Sequence, residues 1–417
     1  MRVRALALGL LVAASPVLAS DEDAAALSLA DQTMAAPESS KDWRVFTEAA
    51  VRQSTRRGAG APQHGERLSF DLRYDGSIAA GWRAVFADRL DINRSGKAAG
   101  DTDVNTLKEA YLSWQAKPDL VADLGRVNTR YGVAMGYNPT DFFRAGALRS
   151  IVSLDPASLR ENRLGSVMLR GQKLWEDGSV TALYSPKLAD RSSTGAYSVD
   201  LGATNRRNRW LVAFSQKLSE QLSPQFLLSG GTGQSAQLGL NLTLLLGHAT
   251  VAFAEWSGGR APSVLAQALA HPGEPAFRSR LATGFTHTTA SNVSLTLEYE
   301  YHGAGLDQEG WNALRRGSPA AYGAYRSVAA NLQEPVTRRN LFFYATWTDA
   351  LVRHLDLTAM VRYDLADRSR LQWLEARYHW TRVDLAFQAQ LNDGPPSSSF
   401  GASPERRSVQ AVLRYFF

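Results

Sequence analysis

The 417-residue chain contains no cysteine. That absence excludes disulfides, thiolate metal sites and cysteine nucleophiles together, and costs nothing in an oxidising compartment. Lysine is scarce as well: only seven of the 46 basic residues are Lys, and the rest are Arg, the side chain suited to fixed ion pairs and to carboxylate or phosphate. After the amino-terminal segment no stretch approaches eighteen consecutive apolar residues, and mean hydropathy is −0.25. No membrane-spanning helix is therefore expected in the mature chain. Gly-rich phosphate loops and nucleotide motifs are missing, and Gly230-Gly231 reads as a hairpin feature. None of the seven histidines, His64, His248, His271, His287, His302, His354 and His379, has ligand spacing or a recognisable nucleophile beside it. No catalytic residue, metal or cofactor is predicted, and His302 beside Glu298 and Glu300 reads as a rim charge network.

What is present begins with residues 1–20, MRVRALALGLLVAASPVLAS. Arg2 and Arg4 precede an apolar run and small residues ending at Ala19, the pattern of a secretory signal peptide cleaved there. Its removal takes the formal charge from +6 to +4, a basic excess too weak to indicate nucleic acid. Residues 20–42 are acidic and rich in small residues, and are predicted to form a periplasmic tail.

From residue 43 to 417 the chain alternates with period two in about eighteen segments. In NVSLTLEYEYH, Val293, Leu295, Leu297, Tyr299 and Tyr301 share one face; in RVDLAFQAQLN, Val383, Leu385, Phe387, Ala389 and Leu391 do so. Low mean hydropathy with one clean apolar face per strand is what a transmembrane barrel requires, since only alternate residues meet lipid. The predicted fold is an all-β transmembrane antiparallel barrel of about 18 strands. The turns after even strands are short, including an Asp75-Gly76 turn between the second and third strands. The long connections follow odd strands, at 133–162, 187–206, 258–276, 303–337 and 393–405. The last segment, SVQAVLRYFF, resembles the terminal strand of bacterial outer-membrane barrels, which implies that Phe417 serves the insertion machinery.

Alternation places Arg73, Arg83, Arg170, Arg278, Arg280, Glu298, Glu300, Arg362, Arg377 and Asp384 in the lumen. Hairpin register is expected to set Arg280 opposite Glu298, Arg278 opposite Glu300 and Arg377 opposite Asp384. Inward Arg outnumber acids, which leans selectivity toward anions. Aromatics at strand ends, among them Trp43, Trp82, Trp114, Trp210, Trp347 and Trp380, are candidates for interfacial girdles.

The stretch LKEAYLSWQAKPDLVADLGRVNTRYGVAMGYNPTDFFR, in 105–163, resembles the alginate-export family and related monomeric porin-like barrels. The resemblance implies a lumenal Arg126, whereas alternation with Leu120, Ala122 and Leu124 turns it outward. The fifth strand is read as 119–132. After it, Asp141, Arg144, Arg149, Asp155, Arg160 and Glu161 lie on the third outer loop and are candidates for a pore constriction; the loop 303–337 is a candidate lid.

The predicted function is passive passage of small, preferentially anionic solutes across the outer membrane. Export of an anionic polysaccharide is the alternative, with hydrolase and adhesin behind it. Expected partners are outer-membrane lipid and lipopolysaccharide; oligomeric state stays open.

Overall fold

The computed structural model describes residues 42–58, 61–95, 103–193, 195–271, 273 and 275–417. The expected signal peptide and nearly all of the expected periplasmic tail lie outside the described residues. Eighteen strands follow one another: β1 (Trp43–Arg56), β2 (Gln63–Ala79), β3 (Trp82–Ser95), β4 (Val104–Lys117), β5 (Leu120–Val127), β6 (Ser166–Trp175), β7 (Gly178–Ser185), β8 (Arg209–Gln216) and β9 (Gln225–Gly231). The second half continues with β10 (Gln234–Leu245), β11 (Thr250–Ala261), β12 (Ala276–Thr288), β13 (Val293–His302), β14 (Arg339–Trp347), β15 (Leu355–Asp364), β16 (Arg370–His379), β17 (Val383–Asp393) and β18 (Glu405–Phe416). Each pairs antiparallel with its sequence neighbours, and β18 returns to β1 with Phe416 opposite Phe46 and Ser408 opposite Ser54. The barrel is closed, so no edge strand is left unpaired.

Alternation is visible in the two faces. Leu124, Leu169, Leu374 and Phe387 are exposed on the outside, while Glu48, Asp91, Glu255 and Glu298 are buried within. At the short-turn end the outer surface carries aromatics: Trp43 packs on Tyr74, Trp82 stacks on Trp114 at 5.9 Å, and Tyr378 meets Trp380. Trp210 opens β8 and therefore sits at the long-loop end.

Several local expectations are corrected. Asp75-Gly76 is not a turn. The strand runs on to Ala79 because the Asp75 carboxylate is held by Arg73 at 3.0 Å and by Arg83 at 2.6 Å. The turn falls at Ala80-Gly81, where Gly81 takes φ +73°, a conformation open to glycine without strain. β5 stops at Val127 and does not reach 132. Arg126 keeps the outward register, opposite Ala110, yet is buried, with Nη1 donating to the Leu107 carbonyl at 3.2 Å. Arg280 faces His302 rather than Glu298, and Glu298 faces Gly284. Likewise Arg278 lies beyond the paired stretch and cannot face Glu300, whose partner is Ala282. The cause is the hairpin end: β12 continues to Thr288 and the chain turns at 289–292 with Asn292 at φ +58°. Arg377 faces Ala386, while Asp384 faces His379; Arg377 still reaches Asp384 diagonally at 3.7 Å.

Candidate functional site: a loop folded into the barrel

The connection from β5 to β6, residues 128–165, crosses the barrel interior. Its path follows from what the inner wall offers. Among the inward residues of β5 to β8, Val127, Met168, Leu183 and Leu211 form one buried cluster with Phe143 from the loop. The Arg209 guanidinium covers the Phe143 ring at 4.1 Å. Across the lumen, Phe342, Tyr344, Met360, Leu371 and Trp373 form a second patch against which Met135 and Leu154 pack. Burial of such side chains stabilises by roughly 1.5–3 kcal/mol each, so the loop has apolar footing on both sides.

Two wall carboxylates hold the backbone between these footings. Glu255 accepts from the N–H groups of Val133 at 3.0 Å, Ala134 at 3.1 Å and Thr140 at 2.7 Å. Glu298 accepts from Met135 at 3.0 Å, Gly136 at 3.1 Å and Tyr137 at 2.9 Å. Arg362 closes the clamp by donating to the Gly136 carbonyl at 2.8 Å. Charge-assisted bonds of this kind are about twice as strong as neutral ones, and they satisfy backbone groups that burial would otherwise strand. The two glycines here are required by space. A Cβ on Gly132, which sits at φ +107°, would lie 2.6 Å from the Glu255 carboxylate, and one on Gly136 would lie 2.5 Å from the Phe342 ring.

The six loop residues singled out from sequence are each engaged. Asp141 pairs with Arg163 at 2.5 Å, both buried. Arg144 reaches Glu334 at 2.7 Å and lies over the Tyr137 ring at 5.0 Å. Arg149 extends to the carbonyls of Gly195, Ala196 and Ser198 in the next long connection. Asp155 caps the helix Pro156–Glu161 through Ser158 N–H at 2.8 Å and accepts from the Tyr344 hydroxyl at 2.7 Å. Arg160 donates to the Ala134 carbonyl at 2.7 Å, and Glu161 pairs with Arg44 of β1. Burial alone would raise Glu161, but Arg44 and Lys108 outweigh it and bring the carboxyl down to about 2.

Most arginines assigned to the wall also have partners. Arg73 meets Glu109 at 2.7 Å, Arg83 meets Asp75, Arg170 meets Asp123 at 2.7 Å, and Arg377 meets Glu375 at 2.9 Å. Arg362 lies 3.9 Å from Glu300, and Arg278 donates to the carbonyls of Ala261 and Gly303. Arg280 is taken by Glu334 at 2.9 Å.

Glu334 was not among the sequence candidates, and it joins four groups. It receives Arg144, Arg280 and the Tyr137 hydroxyl, and His302 Nε2 lies 3.4 Å away. Burial pushes Glu334 up, but Arg144, His302 and Arg280 override it and hold the carboxyl at about 2. Glu255 was missed as well; its one legible signal is an acid among the inward-facing residues Val251, Phe253, Ser257 and Gly259 of β11.

The connection 303–338 is not a free lid. It folds into helices Gln308–Arg316 and Pro319–Leu332. Trp311 Nε1 donates to Asp367 at 2.7 Å, the Tyr322 hydroxyl donates to the Ser397 carbonyl at 3.0 Å, and Trp311, Tyr325 and Ala329 are fully buried.

Beside the inserted loop lies a cavity of about 400 Å³ between Ile151–Leu154 and the inner wall of β1 to β3 and β16 to β18. No family model matches the chain, and no curated protein matches its sequence. Solved structures do match its fold. Acinetobacter baumannii OccAB1 superposes over 90% of this chain and 96% of its own, with a TM-score of 0.57 at 8% identity. Pseudomonas aeruginosa OpdQ gives 0.54 at 10% identity, covering 90% and 99%. Pseudomonas aeruginosa OccK2 in complex with glucuronate gives 0.52 at 10%, covering 90% and 98%. The architecture is that of outer-membrane porin structures; the comparisons give no support to the alginate-export resemblance.

Proposed function

We propose that this protein is an outer-membrane channel for passive passage of small hydrophilic solutes, its bore narrowed from within by residues 128–165. The observation that carries the reading is the clamp of Glu255 and Glu298 on the loop backbone, which costs two buried wall carboxylates and serves nothing but loop position. An open cavity next to a fixed loop supports passage, and the fold neighbours, one described with glucuronate bound, support a small solute. Anion preference is weak in this reading, because most wall arginines are cancelled by adjacent acids and the residual field is small. Arg149 acts as a tether between two connections, while Arg144, Arg160 and Glu161 set the loop's position. Phe417 serves barrel insertion. Purified protein in planar bilayers, with reversal potential measured across a salt gradient, tests the reading: discrete conductance with a modest anion bias is expected, and absence of conductance contradicts it.

A further inference from the structure

The wall facing the cavity is organised in rungs. Cross-strand register aligns Arg52, Gln410, Gln388 and Glu375 across β1, β18, β17 and β16, and aligns Ser54, Ser408, Gln390 and Trp373 one rung further toward the long loops. On the side toward the short turns Ala50, Val412 and Ala386 pack together, so small side chains leave room under the amides.

The charges of this shelf are already used. Arg52 is paired with Glu405 and donates to Ser408 at 3.1 Å, and Arg377 holds Glu375 with two bonds at 2.9 and 3.0 Å. Glu375 also takes the Gln388 Nε2 donor at 2.5 Å, so the amide capacity left over is the Gln388 side-chain carbonyl oxygen, Gln390 and Gln410. The Gln390 side chain makes no hydrogen bond within the described chain, and the Gln410 Nε2 donor has no acceptor. Opposite stands the loop tip, where Ile151 is 61% exposed.

From this juxtaposition we infer a binding subsite for a neutral polyhydroxylated solute, a mono- or disaccharide, on the amide shelf of β16, β17, β18 and β1; the inference rests on the channel reading. An amide supplies both donor and acceptor, matching hydroxyls that donate and accept, whereas a charged solute finds no uncancelled partner among these rungs. The C–H face of a sugar ring packs on the Ile151 side. A cavity of about 400 Å³ falls within the usual range for small-molecule sites.

The test is block of ion current through single channels of the full mature protein by maltose, compared with glucuronate and with a polyethylene glycol of similar size. Maltose should reduce the current saturably and at least as well as glucuronate, and the glycol should show no saturation. The combined Gln388→Ala, Gln390→Ala and Gln410→Ala variant should raise the half-blocking concentration by about tenfold or more, and Gln390→Leu alone by about fivefold. Block is read as the ratio of blocked to open current in one channel, so a changed open conductance does not enter. Equal, unsaturable effects of maltose and glycol, block by glucuronate alone, or unchanged block in both variants overturns the subsite while leaving the channel standing. No current at all removes the channel reading and the subsite with it.

Discussion

Arg144 Nη2 lies 2.7 Å from Glu334 Oε1, both side chains buried, and this contact binds the loop inside the barrel to the helical connection above it. Arg280 from β12 meets the same carboxylate, so three parts of the chain share one buried anion. Removing it leaves two guanidinium groups without their counter-charge. Glu334→Ala should therefore destabilise loop docking by about 3–5 kcal/mol, the usual effect of breaking a buried pair. Limited proteolysis at Arg149 in reconstituted protein checks this: faster cleavage than in the parent is expected.

The same carboxylate fixes the acid response. Glu334 falls from its ordinary value of 4.5 to about 2 on folding, as does Glu161 beside Arg44. A depressed carboxyl pKa gives stability that is fully present above 4.5 and lost as pH falls toward about 2. Proteolytic resistance, assayed with acid- and neutral-active proteases, should be flat from pH 7 to 4.5 and decline below. Loosening already at pH 6 would show that another group controls docking.

Glu298 and Glu255 act on different amides, so their effects separate. Glu298→Gln should accelerate amide hydrogen exchange at Met135, Gly136 and Tyr137, while Val133, Ala134 and Thr140 stay protected by Glu255. Uniform loss across 133–140 would mean that the clamp is a single cooperative unit.

Gly136→Ala drives a methyl group into Phe342 and Glu300, and overpacking of this kind costs roughly 1–3 kcal/mol. Gly171→Ala, where a Cβ meets nothing within 4 Å, is the matched control. Thermal unfolding followed by gel mobility should shift for Gly136→Ala only.

The strands were legible because one rule, period two with an apolar outer face, acts locally at every step. Turn position was less so: Asp75-Gly76 has turn chemistry, but Arg73 and Arg83 hold Asp75 in strand, and those partners declare themselves only after folding. The same holds for Arg280, whose register depended on where the chain turns near Asn292. The constriction candidates were picked as a charged stretch of irregular chain, yet their partners Arg44, Tyr344 and Glu334 are remote in sequence and carry no motif. The inward apolar residues Leu183, Leu211 and Leu227 were the readable hint that something packs inside the barrel.

In the proposed channel residues 128–165 narrow the bore. An antiparallel bridge joins Leu148 to Arg163, so replacing 149–162 with two glycines removes the tip and the helix Pro156–Glu161 while joining positions already adjacent. The clamp at Glu255 and Glu298 stays intact. Single-channel conductance of this variant should rise by about twofold or more over the parent, because the ion path widens where the loop stood. Equal conductance in parent and variant, with both forming heat-modifiable barrels, would contradict the account and place the narrowing elsewhere.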